Sequence, residues 1–505
     1  MTQSLERLKR RAKSLLKSYR DDDPEALMRF RAYAPQALPD PVHADALHVV
    51  AREEGYPSWP RLKARLDSRE GSLEDQLGRL RGALHNGHML MVEALLAEIP
   101  DAAARDLGVA AALYDEDAVE AHLRRDPSAA VQVAGTRSPL LHLCGSRLPL
   151  QRPELVERGP RIAARLVASG AEVNAGIPAA PGETHQLSPL YFALGHAGNL
   201  PLAEWLLEAG ADPNDNESLY HATELGHGAG VDLLLRHGAR VEGTNALYRA
   251  LDFNAHEIVR ALLRAGGDPN EVNWKGPGYN TLHHAGLRMC DGEMAEVLLA
   301  AGADPQALFD GRLPYATALL YGNIAFAEGL ASAGAPTEVP PALEPLVAVA
   351  QGRSPEGFID PAKLPDGGAA LLSELVHLPG TLDHIRRLVE AGFPWDAPEG
   401  EGLTPVQVAG WEGKQETFAY LLSLSPDLSH VNGYGGTLFS TILHGSENCP
   451  ARAERDHIAC MRLALELGVA LPRRAPDAAT EPAMAAFLAD WAERHPGQVI
   501  EGGVV

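Results

Sequence analysis

The chain reads as an all-α solenoid of stacked helix-turn-helix repeats with a small helical N-terminal cap domain, and three observations predict it. Segments of one design recur: GNLPLAEWLLEAGADPN at 198–214, HEIVRALLRAGGDPN at 256–270 and GEMAEVLLAAGADP at 292–305. Each spaces its apolar residues as a helix does, carries a Leu-Leu pair and closes on a glycine. Finally, 505 residues exceed the size at which one hydrophobic core stops growing, so the chain must be a repeat array or several domains.

Residues 1–70 stand outside the repeat. Four helical stretches at 5–19, 24–33, 44–55 and 58–66 are broken at Asp23-Pro24, Pro39-Asp40-Pro41 and Gly55-Tyr56-Pro57. The first is basic: Arg7, Lys9, Arg10, Arg11, Lys13, Lys17 and Arg20 are opposed locally only by Glu6, the pattern of a solvated helix face or of a surface for an anionic partner.

Repeats are expected over 75–475. Ahead of the Leu-Leu helices lie shorter apolar segments at 188–194, 218–225, 245–253, 280–289, 312–321 and 402–413. Neither helix of such a pair can bury its apolar face alone, so neighbouring pairs must stack. Gly170, Gly210, Gly238, Gly266, Gly302, Gly334, Gly392 and Gly468 are expected to end helices in the left-handed conformation that a Cβ resists. Segments 83–100 and 112–127 keep the helix pair and lose the signature. Residues 476–505 are expected to hold a capping helix, with Phe487, Leu488 and Trp491 closing the last layer, and a tail.

These units resemble the ankyrin repeat, whose first helix opens T-P-L-H-x-A and whose second is followed by G-A-D-x-N. The nearest matches are Ser188-Pro189-Leu190-Tyr191-Phe192-Ala193 with Gly210-Ala211-Asp212-Pro213-Asn214, and Thr404-Pro405-Val406-Gln407-Val408-Ala409. Segment 45–60 is similar to a short module found ahead of the repeats in bacterial ankyrin proteins. The resemblance implies a concave binding surface along the inner helices. It also has a departure: Gly210, Gly238 and Gly266 are 28 apart (238 − 210 and 266 − 238), against about 33 for an ankyrin repeat. The projecting fingers between repeats are therefore expected to shrink to bare turns there. Longer loops are expected at 174–186, 271–280, 351–368 and 444–457.

Composition narrows the function. A net charge of -23 repels a phosphate backbone, so nucleic acid is a poor partner. Four cysteines without a C-x-x-C pair, no apolar secretory segment and no stretch long enough to span a bilayer together predict a soluble cytoplasmic protein.

The search for chemistry is largely negative. The sequence Gly410-Trp411-Glu412-Gly413-Lys414 lacks the spacing of a phosphate loop, and His256-Glu257 is followed four positions after the histidine by Arg260, not by a second histidine. His444, Cys449, His457 and Cys460 are soft ligands in a short span, but His444 and Cys449 are expected in an irregular loop, so no metal or cofactor is assigned.

Aligning the inner helices gives two columns on one face. The first contains Phe192, His221, Arg249, His284, Thr317 and Val408. The second, three and four residues later, supplies a candidate groove of His196, Glu224, Leu225, Asp252, Phe253, Arg288, Tyr321, Trp411 and Glu412. Tyr191, Tyr220, Tyr248 and His283 occupy the motif's own histidine position, where the side chain braces the adjacent turn.

Two readings follow. In one, the array is a scaffold or inhibitor that binds a protein or peptide through its concave face. In the other, His221, Glu224, Arg249, Asp252 and His284 form a small-molecule or catalytic site, with imidazole and carboxylate in general acid/base work.

Overall fold

The computed structural model describes residues 5–33, 41, 43–180, 182–224, 226, 228–272, 278–355, 359, 369–479 and 481–502. Helices dominate it, and the N-terminal ones, Leu5–Arg20, Pro24–Tyr33, His43–Glu53 and Trp59–Asp67, lie where the apolar patterns predict them. The chain divides into two compact units, residues 1–10 with 50–271 and residues 11–49 with 272–505.

In the first unit, inner helices pack on inner helices and outer on outer. Ser218–Glu224 lies against Ala246–Asp252, Gly228–Arg236 against His256–Arg264, and Arg158–Ala168 against Leu200–Glu208. Leu206, Leu234 and Leu262, each from a Leu-Leu segment, are fully buried between the layers. The expected helix ends are left-handed: in both units the eight glycines named above have φ between 84° and 105°.

The asparagine that closes the motif clamps successive turns. Asn174 Nδ2 donates to Gly210 O (3.0 Å) while its Oδ1 accepts from Asp212 N (2.9 Å), and Asn214 repeats the pattern with Gly238 O (3.4 Å) and Arg240 N (2.9 Å). This local bond is what the motif residue contributes between layers. Where the chain has an insertion, at 174–186, it forms a short antiparallel pair, Ile177–Pro178 with Gln186–Leu187. No strand stands between Leu200–Glu208 and His256–Arg264, so among the described residues the shortened repeats connect through turns.

The second unit repeats the scheme. Thr281–Leu287 packs on Pro314–Leu320, Gly292–Ala300 on Ile324–Ser332, and Pro405–Glu412 lies between Ala369–His377 and Leu438–Asn448. One continuous buried cluster runs from Leu320 to Trp491 and includes Met484 and Leu488 of the last long helix, Pro482–Arg494, with Phe487 packed against it. A parallel pair, Leu471–Pro472 with Val499–Ile500, ties the following segment back. Arg20 of the basic stretch is engaged here, paired with Asp490 (2.5 Å) and Glu493 (2.6 Å).

One expectation fails in this unit. Residues 444–457 are not a loop throughout: the helix Leu438–Asn448 carries His444 and runs on to Asn448 before a short 3-10 turn at Arg452–Glu454. The Thr437 capping box starts that helix, and Gly445 lets it approach its neighbour so closely that a Cβ would lie 2.2 Å from Trp411 O. Of the segments expected as long loops, residues 273–277 and most of 351–368 lie outside the described residues.

Candidate functional site

Four candidate residues come together in the first unit, joined by two that the sequence reading missed. His221 stands on Ser218–Glu224 between two carboxylates: Nδ1 donates to Glu224 Oε2 (2.7 Å) and Nε2 to Glu217 Oε2 (3.1 Å). Glu217 also accepts from His185 Nε2 (2.6 Å), which the antiparallel pair delivers from above. Arg249 on the next inner helix pairs with Glu224 and, through Nη1, with Asp252 Oδ2 (2.9 Å). The result is a ladder, His185–Glu217–His221–Glu224–Arg249–Asp252, running across consecutive repeats.

Aromatic rings flank it. Tyr191 and Tyr220 lie 5.0 Å and 5.1 Å from the His221 ring, and the Arg249 guanidinium sits over Tyr220 at 5.7 Å and over Phe253 at 4.8 Å. Phe253 itself is 51% exposed. Burial alone would lower the His221 pKa, but the hydrogen bonds and charges of Glu217 and Glu224 outweigh it and raise the pKa above 6.5. Glu224 is held below the usual carboxylate range: burial opposes this, and the bonds from Arg249 and His221 prevail.

The remaining candidates lie elsewhere. His284 belongs to the second unit, is buried, and its Nδ1 faces Tyr279 Oη at 3.3 Å. His196 joins His85, with stacked rings 4.1 Å apart, and not the ladder. Leu225 lies outside the described residues. Arg288 is exposed, and Tyr321 is half-buried with its hydroxyl on Glu374.

Four of the six first-column residues are not on the open face expected of them. Phe192, His284, Thr317 and Val408 are buried, because inner helices pack side by side and this position meets the neighbouring repeat. Glu412 is likewise no groove residue: its buried carboxylate accepts from His377 Nδ1 at 2.7 Å. Of the bracing positions, His283 is fully buried between Asn280 Oδ1 (2.8 Å) and Arg312 O (3.1 Å), and the Tyr248 hydroxyl bonds Glu271 O.

Trp411 opens a different feature. In the second unit a cavity of 640 Å³ is lined by His377, Leu403, Val408, Trp411, Tyr434 and His444, among others. The His377 ring meets Trp411 edge-on at 6.3 Å. Lys414 holds these helices together: its Nζ donates to the carbonyls of Val376 (2.5 Å), His377 (2.8 Å) and Leu378 (2.7 Å), capping Ala369–His377. Burial pushes its pKa down to about 8. His457 Nε2 bonds Trp411 O (2.8 Å), and Cys449 and Cys460 are buried.

A family model and two relatives match part of the repeat array. The family described as ankyrin repeats (3 copies) matches residues 190–273, the stretch that carries most of the ladder. The chain is 40% identical over 93 residues to the transient receptor potential channel pyrexia of Drosophila melanogaster, covering 16% of this chain and 10% of the channel. It is 39% identical over 92 residues to ankyrin repeat and SOCS box protein 11 of Danio rerio, covering 17% of this chain and 30% of that protein. Among solved structures, the human ASB11 ankyrin repeat domain aligns at 20% identity with a TM-score of 0.34, covering 46% of this chain and 98% of that domain. An ankyrin repeat domain from Acinetobacter baumannii aligns at 24% identity with a TM-score of 0.32, covering 39% and 98%. The matched stretch, residues 190–273, thus carries ankyrin repeats, the design to which its sequence motifs and stacked helix pairs conform.

Proposed function

We propose that the protein binds a partner protein or peptide through the inner-helix ends of residues 190–273. The observation that carries this reading is the ladder: a partly exposed run of fixed charges edged by the exposed ring of Phe253. Fixed charges select a partner by complementarity, and an aromatic at the edge supplies an anchor. The ladder is poorly suited to general base catalysis. Both nitrogens of His221 are occupied by carboxylates, so the ring has no free site for a substrate proton.

Affinity capture from the native host tests this with matched variants. Phe253→Ala should lose the captured partner, whereas Glu204→Lys on the outer helix Leu200–Glu208 should keep it. Loss with Glu204→Lys and retention with Phe253→Ala would refute the reading.

A second reading rests on the 640 Å³ cavity, whose size suits a small organic ligand. Its apolar wall of Trp411, Leu403 and Val408 with imidazoles at the rim favours a flat ligand bearing one or two polar groups. A metabolite panel that raises the melting temperature of the wild type but not of Trp411→Ala would support it. No stabilisation by any compound would count against it.

A further inference from the structure

We propose that Arg137 and Arg147, with His85 and His196 beside them, form a binding site for a carboxylate carried by a peptide. All four belong to the first unit, and the site is separate from the ladder. Arg137 lies in the two-residue bridge Ala134–Arg137 just before the helix Pro139–Cys144, and Arg147 lies just after that helix. His85 is in the last turn of Leu73–Asn86. His196 ends the π turn Phe192–His196.

The cluster is closely built. The His85 and His196 rings stack at 4.1 Å with 13° between planes, and His196 Nε2 bonds His85 O (2.9 Å). His85 Nδ1 donates to Gly145 O (3.1 Å), which fixes the tautomer and leaves Nε2 to accept from Arg137 Nη2 (3.2 Å). Arg147 Nε donates to His196 O (3.1 Å). Buried Phe192 underlies the group, with the Arg137 guanidinium 5.4 Å from its ring.

What the cluster lacks is a counter-charge. In a chain of net charge -23, neither arginine has an ion-pair partner among the described residues. Among the described residues, buried Arg137 Nε has no hydrogen-bond partner and the Nη groups of Arg147 make no bond. A half-buried guanidinium without an anion is an uncompensated desolvation cost, and an incoming carboxylate relieves it. Two guanidiniums offer planar forks that match a carboxylate. The neutral imidazoles add no further positive charge to balance a dianion, so a carboxylate fits better than a phosphate.

The two imidazoles report on occupancy. Burial, the neighbouring His196 and the positive Arg137 and Arg147 push the His85 pKa down to about 3. A bound anion offsets that positive potential, favours the protonated ring and raises the pKa.

The test uses the full chain with N-acetylglutamate as probe, at constant ionic strength, with inorganic phosphate as a second arm. N-acetylglutamate should raise the melting temperature of the wild type and move the His85 ring resonances upward in apparent pKa. Arg137→Gln and Arg147→Gln should abolish both responses. Arg137→Gln also loses the bond to His85 Nε2, so each response is read as the shift on adding probe to the same variant, and a lower starting melting temperature cannot mimic the loss. Arg236→Gln, on an outer helix, should respond as wild type does. Equal stabilisation of wild type and Arg137→Gln, or no response from wild type, would overturn the proposal. A phosphate response exceeding the carboxylate response would overturn the choice of ligand. Because the probe is a small molecule, a positive result here stands even where the ladder binds no partner.

Discussion

His221 and His85 stand on inner helices of the same unit, and their neighbours shift their pKa values in opposite directions. His221 sits between Glu217 and Glu224, which hold its proton. His85 sits among Arg137, Arg147 and His196, which expel it. The repeat fixes where an inner-helix residue stands, and the residues one repeat away decide what it is chemically. One scaffold thereby presents an acidic patch and a basic patch side by side, with Tyr191 under the influence of Glu217 and Glu224 from one and Arg147 from the other.

The junction between the two patches should be the most sensitive point. A Cβ at Gly195 would lie 2.8 Å from His221 Cβ and 3.1 Å from Tyr191 Cδ2. Gly195→Val should therefore cost about 1–3 kcal/mol by overpacking, read by denaturant unfolding, and should disturb the His221 resonances. An unchanged midpoint would show that the patches are not packed as described.

Removing Arg249 attacks the acidic side alone. Arg249→Ala loses pairs with Glu224 and Asp252 that are partly exposed, so the expected cost is about 1 kcal/mol. The His85 resonances should not move. A shift at His85 would mean that the two patches are electrostatically coupled.

The two imidazoles also predict opposite pH slopes. The His221 pKa is raised on folding, so its stabilisation is complete below the unfolded value near 6.5 and is lost as pH rises through the folded value. The His85 pKa is lowered to about 3, so the unfolded chain binds the extra proton between 6.5 and about 3, and stability falls as pH drops through that window. His221→Gln should flatten the alkaline side, and His85→Gln the acid side. Stability profiles of the two variants that coincide with wild type would contradict both assignments.

The smallest stability effect is expected at Phe253. Its ring is half exposed, so Phe253→Ala should change folding by no more than about 0.5 kcal/mol while weakening partner binding by at least ~1 kcal/mol.

The sequence made the repeat visible because Leu-Leu spacing, a terminal glycine and the Asp-x-Asn turn are local signals, each tied to a local bond or conformation. The site was only partly legible. His221 with Glu224 and Arg249 with Asp252 are three apart on one helix, and Glu217 lies four before His221, so spacing could have found it as well. His185 could not be found this way, since it reaches Glu217 through the path of an inserted hairpin 32 residues away. Nor could the meeting of His85 with Arg137, 52 residues apart, because it depends on how irregular repeats stack. Part of the first column was misread for a packing reason: Phe192, His284, Thr317 and Val408 face the next repeat and are buried, while His221 and Arg249 of the same column stay partly exposed.

Site-specific photo-crosslinking in the native host tests the central claim most directly. A benzoylphenylalanine at position 253, beside the ladder, should crosslink to a discrete partner, and one at position 204 on the outer helix should not. Crosslinking from position 204 with none from position 253 would contradict the account and assign recognition to the opposite face.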